Sequence, residues 1–170
     1  MSESSKTVES LITSVQQTLF KRIEKQERTH RNLINQVYSQ LESLFWLEKK
    51  LSLKNQLPPL RGWATSPDVL LKLHSFITKS KPSCVVEFGS GASTIVIADA
   101  LKQNGSGKLY SFDDSDEFGA KTLCNLKEEG LESFVNLTVA PLVPWLGSHL
   151  TPEEETPYWY DAKVLDNLDA

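Results

Sequence analysis

Eighteen consecutive residues, Cys84 to Leu101, constrain this chain more than any others: CVVEFGSGASTIVIADAL. A short apolar run ends in an acid, two glycines follow, and an apolar stretch with helical spacing begins directly after them, which predicts strand, tight turn, helix. Val85 and Val86 suit a strand covered on both faces, as parallel strands are. Gly89 and Gly91 permit backbone geometry and a close ligand approach that a Cβ would block. Ser93 or Thr94 is expected to cap the helix, whose first amides and dipole attract polar or anionic groups. Such a turn is an entry site for a nucleotide-type cofactor.

Glu87 narrows the choice. A carboxylate at the carboxyl end of a buried strand is costly unless something polar or cationic answers it, and a ligand ammonium would do so. The dinucleotide version of this turn reads G-x-G-x-x-G, whereas Thr94 holds the third position here and an acid stands two residues before the first glycine. Both departures point away from NAD.

These residues resemble the class I S-adenosylmethionine-dependent methyltransferases. Glu87, Gly89, Ser90 and Gly91 match the family's first motif, with Ser93 where a third glycine often stands. Lys108 to Asp114, KLYSFDD, resembles the second strand. The resemblance implies that Glu87 holds the methionine ammonium, that Gly89 to Gly91 pass close to the carboxylate and ribose, that Asp113 binds the ribose hydroxyls, and that Asp114 lies beside the adenine. The cofactor so implied is S-adenosyl-L-methionine, and the acceptor a small molecule or a glycan. No catalytic residue is identifiable. The run Gly62-Trp63, Ser66-Pro67-Asp68, followed by the first motif, is similar to a bacterial subgroup with helical N-terminal extensions, in which this linker lies near the mouth of the cofactor pocket. Trp63 is expected to pack or to touch ligand.

The N-terminal third has another character. From Val8 to Leu53 there is no glycine and no proline, so a long helix, or two joined by a polar turn, is expected. Val8, Ile12, Val15, Leu19, Ile23, then Leu33, Val37, Leu41 and Leu44 recur in steps of three and four, with breaks from a strict heptad at Leu19 to Ile23 and Val37 to Leu41. Gln26 and His30 fill the seam between. The pattern predicts a homo-oligomer through this helix, or a hairpin folded on its own chain. His30 lacks a second ligand at helical spacing and is read as a solvated or seam histidine. Phe45, Trp46, Leu47 and Leu51 are expected to dock on the globular part.

The organisation expected is therefore residues 1–55 helical, 56–66 a linker, and 67–170 the first half of a methyltransferase domain. Ser66 is expected to cap a helix that runs to about Thr78 on Val69, Leu70, Leu73, Phe76 and Ile77, with His74 solvated. Phe118 to Glu129, capped by Ser115, and a strand from Phe134 to Ala140 follow. With Asp116 and Glu117 in the first turn of that helix, the acids from Asp113 to Glu117 need no metal. The segment from Val143 to Pro157 is expected to be a loop or lid, with His149 a candidate base. Tyr158, Trp159, Tyr160 and Asp161 either line a substrate cleft or pin the loop to the sheet.

The fold class is thus α/β, a partial Rossmann-like sheet of about three parallel strands behind a long helix. Fewer than 90 residues follow Cys84, room for three strand-helix repeats where the family has seven strands ordered 3-2-1-4-5-7-6. The first strand is then expected at a sheet edge that a missing continuation, a second chain or the N-terminal helix must cover. For the same reason, activity of this chain alone is an open matter. A coiled-coil assembly module with a degenerate cofactor half-domain, and a NAD-dependent oxidoreductase, are the alternatives.

Composition adds exclusions. With 39% hydrophobic and 24% charged residues the chain is ordinary globular protein, and a net charge of -4 gives no support to a nucleic-acid surface. No apolar run reaches the roughly 20 residues of a membrane span, and the N-terminus lacks a signal-peptide core, so a cytoplasmic protein is expected. Cys84 and Cys124 have no metal or disulfide spacing and are expected to be buried thiols.

Overall fold

The computed structural model describes residues 3–145 and 157–168. The expected α/β architecture is present. Contacts divide the chain into two units, Met1–Glu42 and Ser43–Ala170. The first is helical throughout its described residues, as the larger part of α1 (Glu3–Glu48). Its apolar positions from Leu11 to Leu41 are at least half exposed.

The second unit is built on a sheet of three parallel strands, β1 (Cys84–Phe88), β2 (Lys108–Asp113) and β3 (Val135–Val139). Its order is β1-β2-β3, with Glu87 beside Ser111 and Asp113 beside Val139. Successive side chains alternate between the faces of a strand, so Val85, Glu87, Leu109, Ser111, Asp113, Val135 and Leu137 share one face. On this side lie α2 (Pro67–Ser80), α3 (Ala92–Asn104) and α4 (Asp116–Glu129). Ile77, Ile95, Leu101, Leu109, Leu126 and Val135 form the main core there. On the other face Tyr110, Phe112 and Ala140 are covered by Tyr160, Val164 and Leu168.

Among the described residues β1 pairs only with β2, so the expected edge is real; Val86 and Phe88 remain 39% and 40% exposed. Leu47 docks as expected, against Leu70 and Val96, whereas Phe45 and Trp46 stay exposed.

Several local expectations are corrected. His74 is not solvated: it is 2% exposed, on a buried stripe with Leu70 and Ile77, while Val69 and Phe76 face water. The reason is Asp99, fully buried in α3, whose carboxylate lies 3.4 Å from His74 Nε2. Asp99 also accepts hydrogen bonds from the Ser52 amide and Gln103 Nε2, so a polar cluster joins α2, α3 and the chain after α1. Ser66 stands at the start of α2, but its hydroxyl donates to Asp68 at 2.6 Å rather than capping a backbone amide. Trp63 does not pack; it is fully exposed. Cys124 is exposed on α4 rather than buried, and Cys84 is half-buried.

The expected loop after Val143 is in part a hairpin. Leu142–Pro144 forms β4, which pairs antiparallel with β5 (Tyr158–Tyr160), and the Trp145 amide donates to the Pro157 carbonyl at 2.7 Å. Strands of three residues, one holding a proline, carry too little alternation to be read from sequence. His149 lies outside the described residues. A 3₁₀ helix, Ala162–Asn167, follows, started by Asp161, whose carboxylate accepts from the Lys163 amide.

Candidate functional site

Parallel strands end together, so the carboxyl ends of β1 and β2 bring the two sequence motifs side by side. Phe88 completes β1, and the Gly89 amide adds one more rung by donating to the Phe112 carbonyl at 2.7 Å. The chain then turns through Gly89 at φ +87° and Gly91 at φ +156° into α3. A Cβ placed on either glycine meets nothing within 4 Å. These glycines are needed for their dihedral angles, and the space beside them is open.

Gly91 itself is the N-cap of α3, so neither Ser93 nor Thr94 has the capping position expected. Thr94 stands in the first turn as a relay: its hydroxyl accepts from the Gly91 amide at 2.9 Å and donates to Glu87 Oε2 at 2.6 Å. Ser111, the neighbour of Glu87 in register, donates to the same oxygen at 2.9 Å. Burial raises the pKa of the Glu87 carboxyl; hydrogen bonds from Ser93, Thr94 and Ser111 oppose this, and the Asp113 charge adds to it. Among the described residues no cation enters this balance. Thr94, Ser93 and Ser111 were not singled out for this carboxylate; their adjacency depends on strand register.

Asp113 closes the other side. It is 4% exposed, and its Oδ2 accepts from both the amide and the hydroxyl of Ser90, while Oδ1 accepts from the Ser115 amide at 2.9 Å. The turn is therefore tied to the end of β2 through Ser90. Ser115 in turn caps α4 by accepting from the Phe118 amide. Asp114 is exposed, and Tyr160 donates to it at a long 3.4 Å. Desolvation, with Asp114 and Asp113 nearby, raises the Tyr160 pKa.

Phe88 also belongs to an aromatic cluster. Its ring lies 5.0 Å from that of Tyr160 and 6.1 Å from that of Trp159. A cavity of about 360 Å³ opens there, lined by Phe88, Pro144, Trp145, Trp159, Tyr160 and Asp161 among others. A larger one, about 520 Å³, lies between Tyr110, Leu137, Val164 and Leu168. Neither is lined by Glu87 or the glycine turn. Trp145 is the aromatic residue sequence reasoning missed, because its place depends on the hairpin.

The chain is similar in structure to the methyltransferase PaMTH1 of Podospora anserina bound to S-adenosylhomocysteine, at 17% identity over 60% of this chain and 41% of that one, TM-score 0.43. It is similar to the O-methyltransferase TomG of Streptomyces achromogenes, involved in tomaymycin synthesis and solved with S-adenosylmethionine, at 26% identity over 55% and 42%, TM-score 0.40. The N-terminal domain of human METTL16, with S-adenosylhomocysteine, matches at 18% identity over 68% and 47%, TM-score 0.42. The chain spans less than half the length of each. No curated protein matches it. The family model described as a methyltransferase domain matches residues 86–163, from the end of β1 to the residues just after β5. The matched segment takes in Glu87, the glycine turn and Asp113, the residues that carry the resemblance read from the sequence.

Proposed function

We propose that this chain supplies the cofactor-binding half of an S-adenosylmethionine-dependent methyltransferase acting on a small-molecule or glycan acceptor. The observation that carries the reading is Glu87, a desolvated carboxylate answered among the described residues by hydroxyls at the end of β1, beside a glycine turn with open space. An anion so placed fits the ammonium of the cofactor's methionine part. The cofactor brings an electrophilic sulfonium methyl; the protein's part is to position two reactants and exclude water.

In this reading Gly89, Ser90 and Gly91 face the cofactor's carboxylate and ribose. Asp113 binds the ribose by one contact rather than two, because Ser90 and Ser115 already use three of roughly four acceptor directions of its carboxylate. Asp114 lies beside the adenine. The acceptor occupies the aromatic cavity next to Phe88, whose volume of about 360 Å³ suits a small molecule or a sugar ring. Self-association through α1 is a separate part of the reading, supported by its exposed apolar positions.

Calorimetric titration with S-adenosylhomocysteine, with NAD as control, tests the proposal. Micromolar binding is expected, weakened about 30-fold or more in Glu87→Ala, the equivalent of roughly 2 kcal/mol. A folded chain that binds NAD, or that binds S-adenosylhomocysteine equally well without Glu87, sinks it.

A further inference from the structure

We propose that α1 forms an antiparallel two-helix coiled coil with a second copy of the chain, centred on Gln26. The inference rests on the self-association read from this helix and is independent of methyl transfer.

The seam repeats every eleven residues. Leu11, Ile12 and Val15 return as Arg22, Ile23 and Gln26, and again as Leu33, Ile34 and Val37; Leu19, His30 and Leu41 make the fourth row. The steps that break a heptad, Leu19 to Ile23 and Val37 to Leu41, are regular members of this longer repeat. Eleven residues span just over three whole turns, so the stripe stays on one side of a nearly straight helix with slight right-handed drift. Nine of these twelve residues are apolar, and each is between 50% and 67% exposed. Together they expose on the order of 900 Å² of surface per helix, comparable with the roughly 800 Å² per partner of a standard stable interface.

The order of the rows selects the orientation. An antiparallel partner centred on Gln26 sets Leu11 against Leu41 of the second copy, Val15 against Val37, Leu19 against Leu33, Arg22 against His30 and Gln26 against its own copy. Leu11, Val15, Leu19, Leu33, Val37 and Leu41 then each meet an apolar residue, Ile12, Ile23 and Ile34 flank this seam opposite Gln40, Thr29 and Thr18, and the polar rows stay together in the middle. A parallel pair in register also matches apolar rows, but sets Arg22 against Arg22 in a desolvated layer, where like charges repel. In the antiparallel pair the guanidinium meets an imidazole, which can accept its hydrogen bond.

Sedimentation equilibrium of the full chain is the first test, with a dimer of about 38 kDa expected from a 19.1 kDa chain. Leu19→Glu combined with Leu33→Glu is expected to give the monomer mass while near-ultraviolet circular dichroism of the folded unit is retained. Orientation is read by disulfide cross-linking in a Cys84→Ala, Cys124→Ser background. Val15→Cys and Val37→Cys chains, mixed, are expected to cross-link with each other at least tenfold faster than either does with itself. A monomeric or trimeric wild-type chain, or self-cross-linking of Val15→Cys as fast as the mixed reaction, overturns the proposal. S-adenosylhomocysteine titration of the same samples keeps the two readings apart: a dimer that binds none leaves this inference standing and removes the other.

Discussion

Glu87 is where one residue's chemistry can be measured most directly. Burial raises its pKa, so its ionised form is disfavoured in the folded chain, and the stability it contributes is present at low pH and lost as pH rises through the folded pKa. Glu87→Gln should therefore raise the thermal midpoint at pH 7 by a few degrees, seen by circular dichroism, while weakening S-adenosylhomocysteine binding. Binding of the ammonium needs the ionised carboxylate, so affinity in the wild-type chain should fall as pH drops through that raised pKa and stay flat there in Glu87→Gln. Asp99 gives a contrasting case, a carboxylate held by partners within the fold. Asp99→Ala removes the acceptor for Ser52 and Gln103 and leaves His74 buried without it, and should cost about 3 kcal/mol in urea unfolding. The Glu87 motif was legible because acid and glycines adjoin in sequence; the Asp99 cluster was not, because His74 and Ser52 lie 25 and 47 residues from Asp99 and meet it only when α2, α3 and the chain after α1 pack.

Among the elements, α4 was the most legible, since its cap, acidic first turn and closing glycine are all local signals. Ser115→Ala should cost about 1 kcal/mol, measured by chemical denaturation. The chain before α2 is held differently. The Glu129 carboxylate at the end of α4 accepts from the amides of Lys54 and Asn55 and from the Asn55 side chain. Desolvation pushes its pKa up, but these hydrogen bonds and the Lys54 charge outweigh it and hold the group below its ordinary value. A depressed carboxylate stabilises above its unfolded pKa and loses that stability as pH falls through the folded one. Glu129→Ala should thus destabilise the chain by about 2 kcal/mol at pH 7 and much less once the wild-type carboxylate is protonated at acid pH. The apolar stripe of α2 was misjudged because it was counted from hydrophobicity alone. A buried histidine displaced Phe76 from the inside once α3 offered a carboxylate.

For the molecule as a whole, the open side of β1 is the main consequence of its topology. Strand groups with no partner among the described residues, beside exposed Val86 and Phe88, are a template for another strand. Val86→Lys should raise the concentration at which light scattering first reports aggregation, with little change in thermal midpoint. What sequence determined by itself was everything carried by short-range signals: the strand-turn-helix with its acid, the glycine-free helix, the capped α4 and the parallel α/β class. Tertiary structure alone decided which hydroxyls answer Glu87, that Ser90 occupies Asp113, that His74 and Asp99 meet, and that Trp145 and Trp159 come together through a hairpin. The physical reason is the range of the forces involved. Dihedral preference and capping act within a few residues, whereas register, burial of charge and cavity shape exist only after distant segments have excluded water from between them.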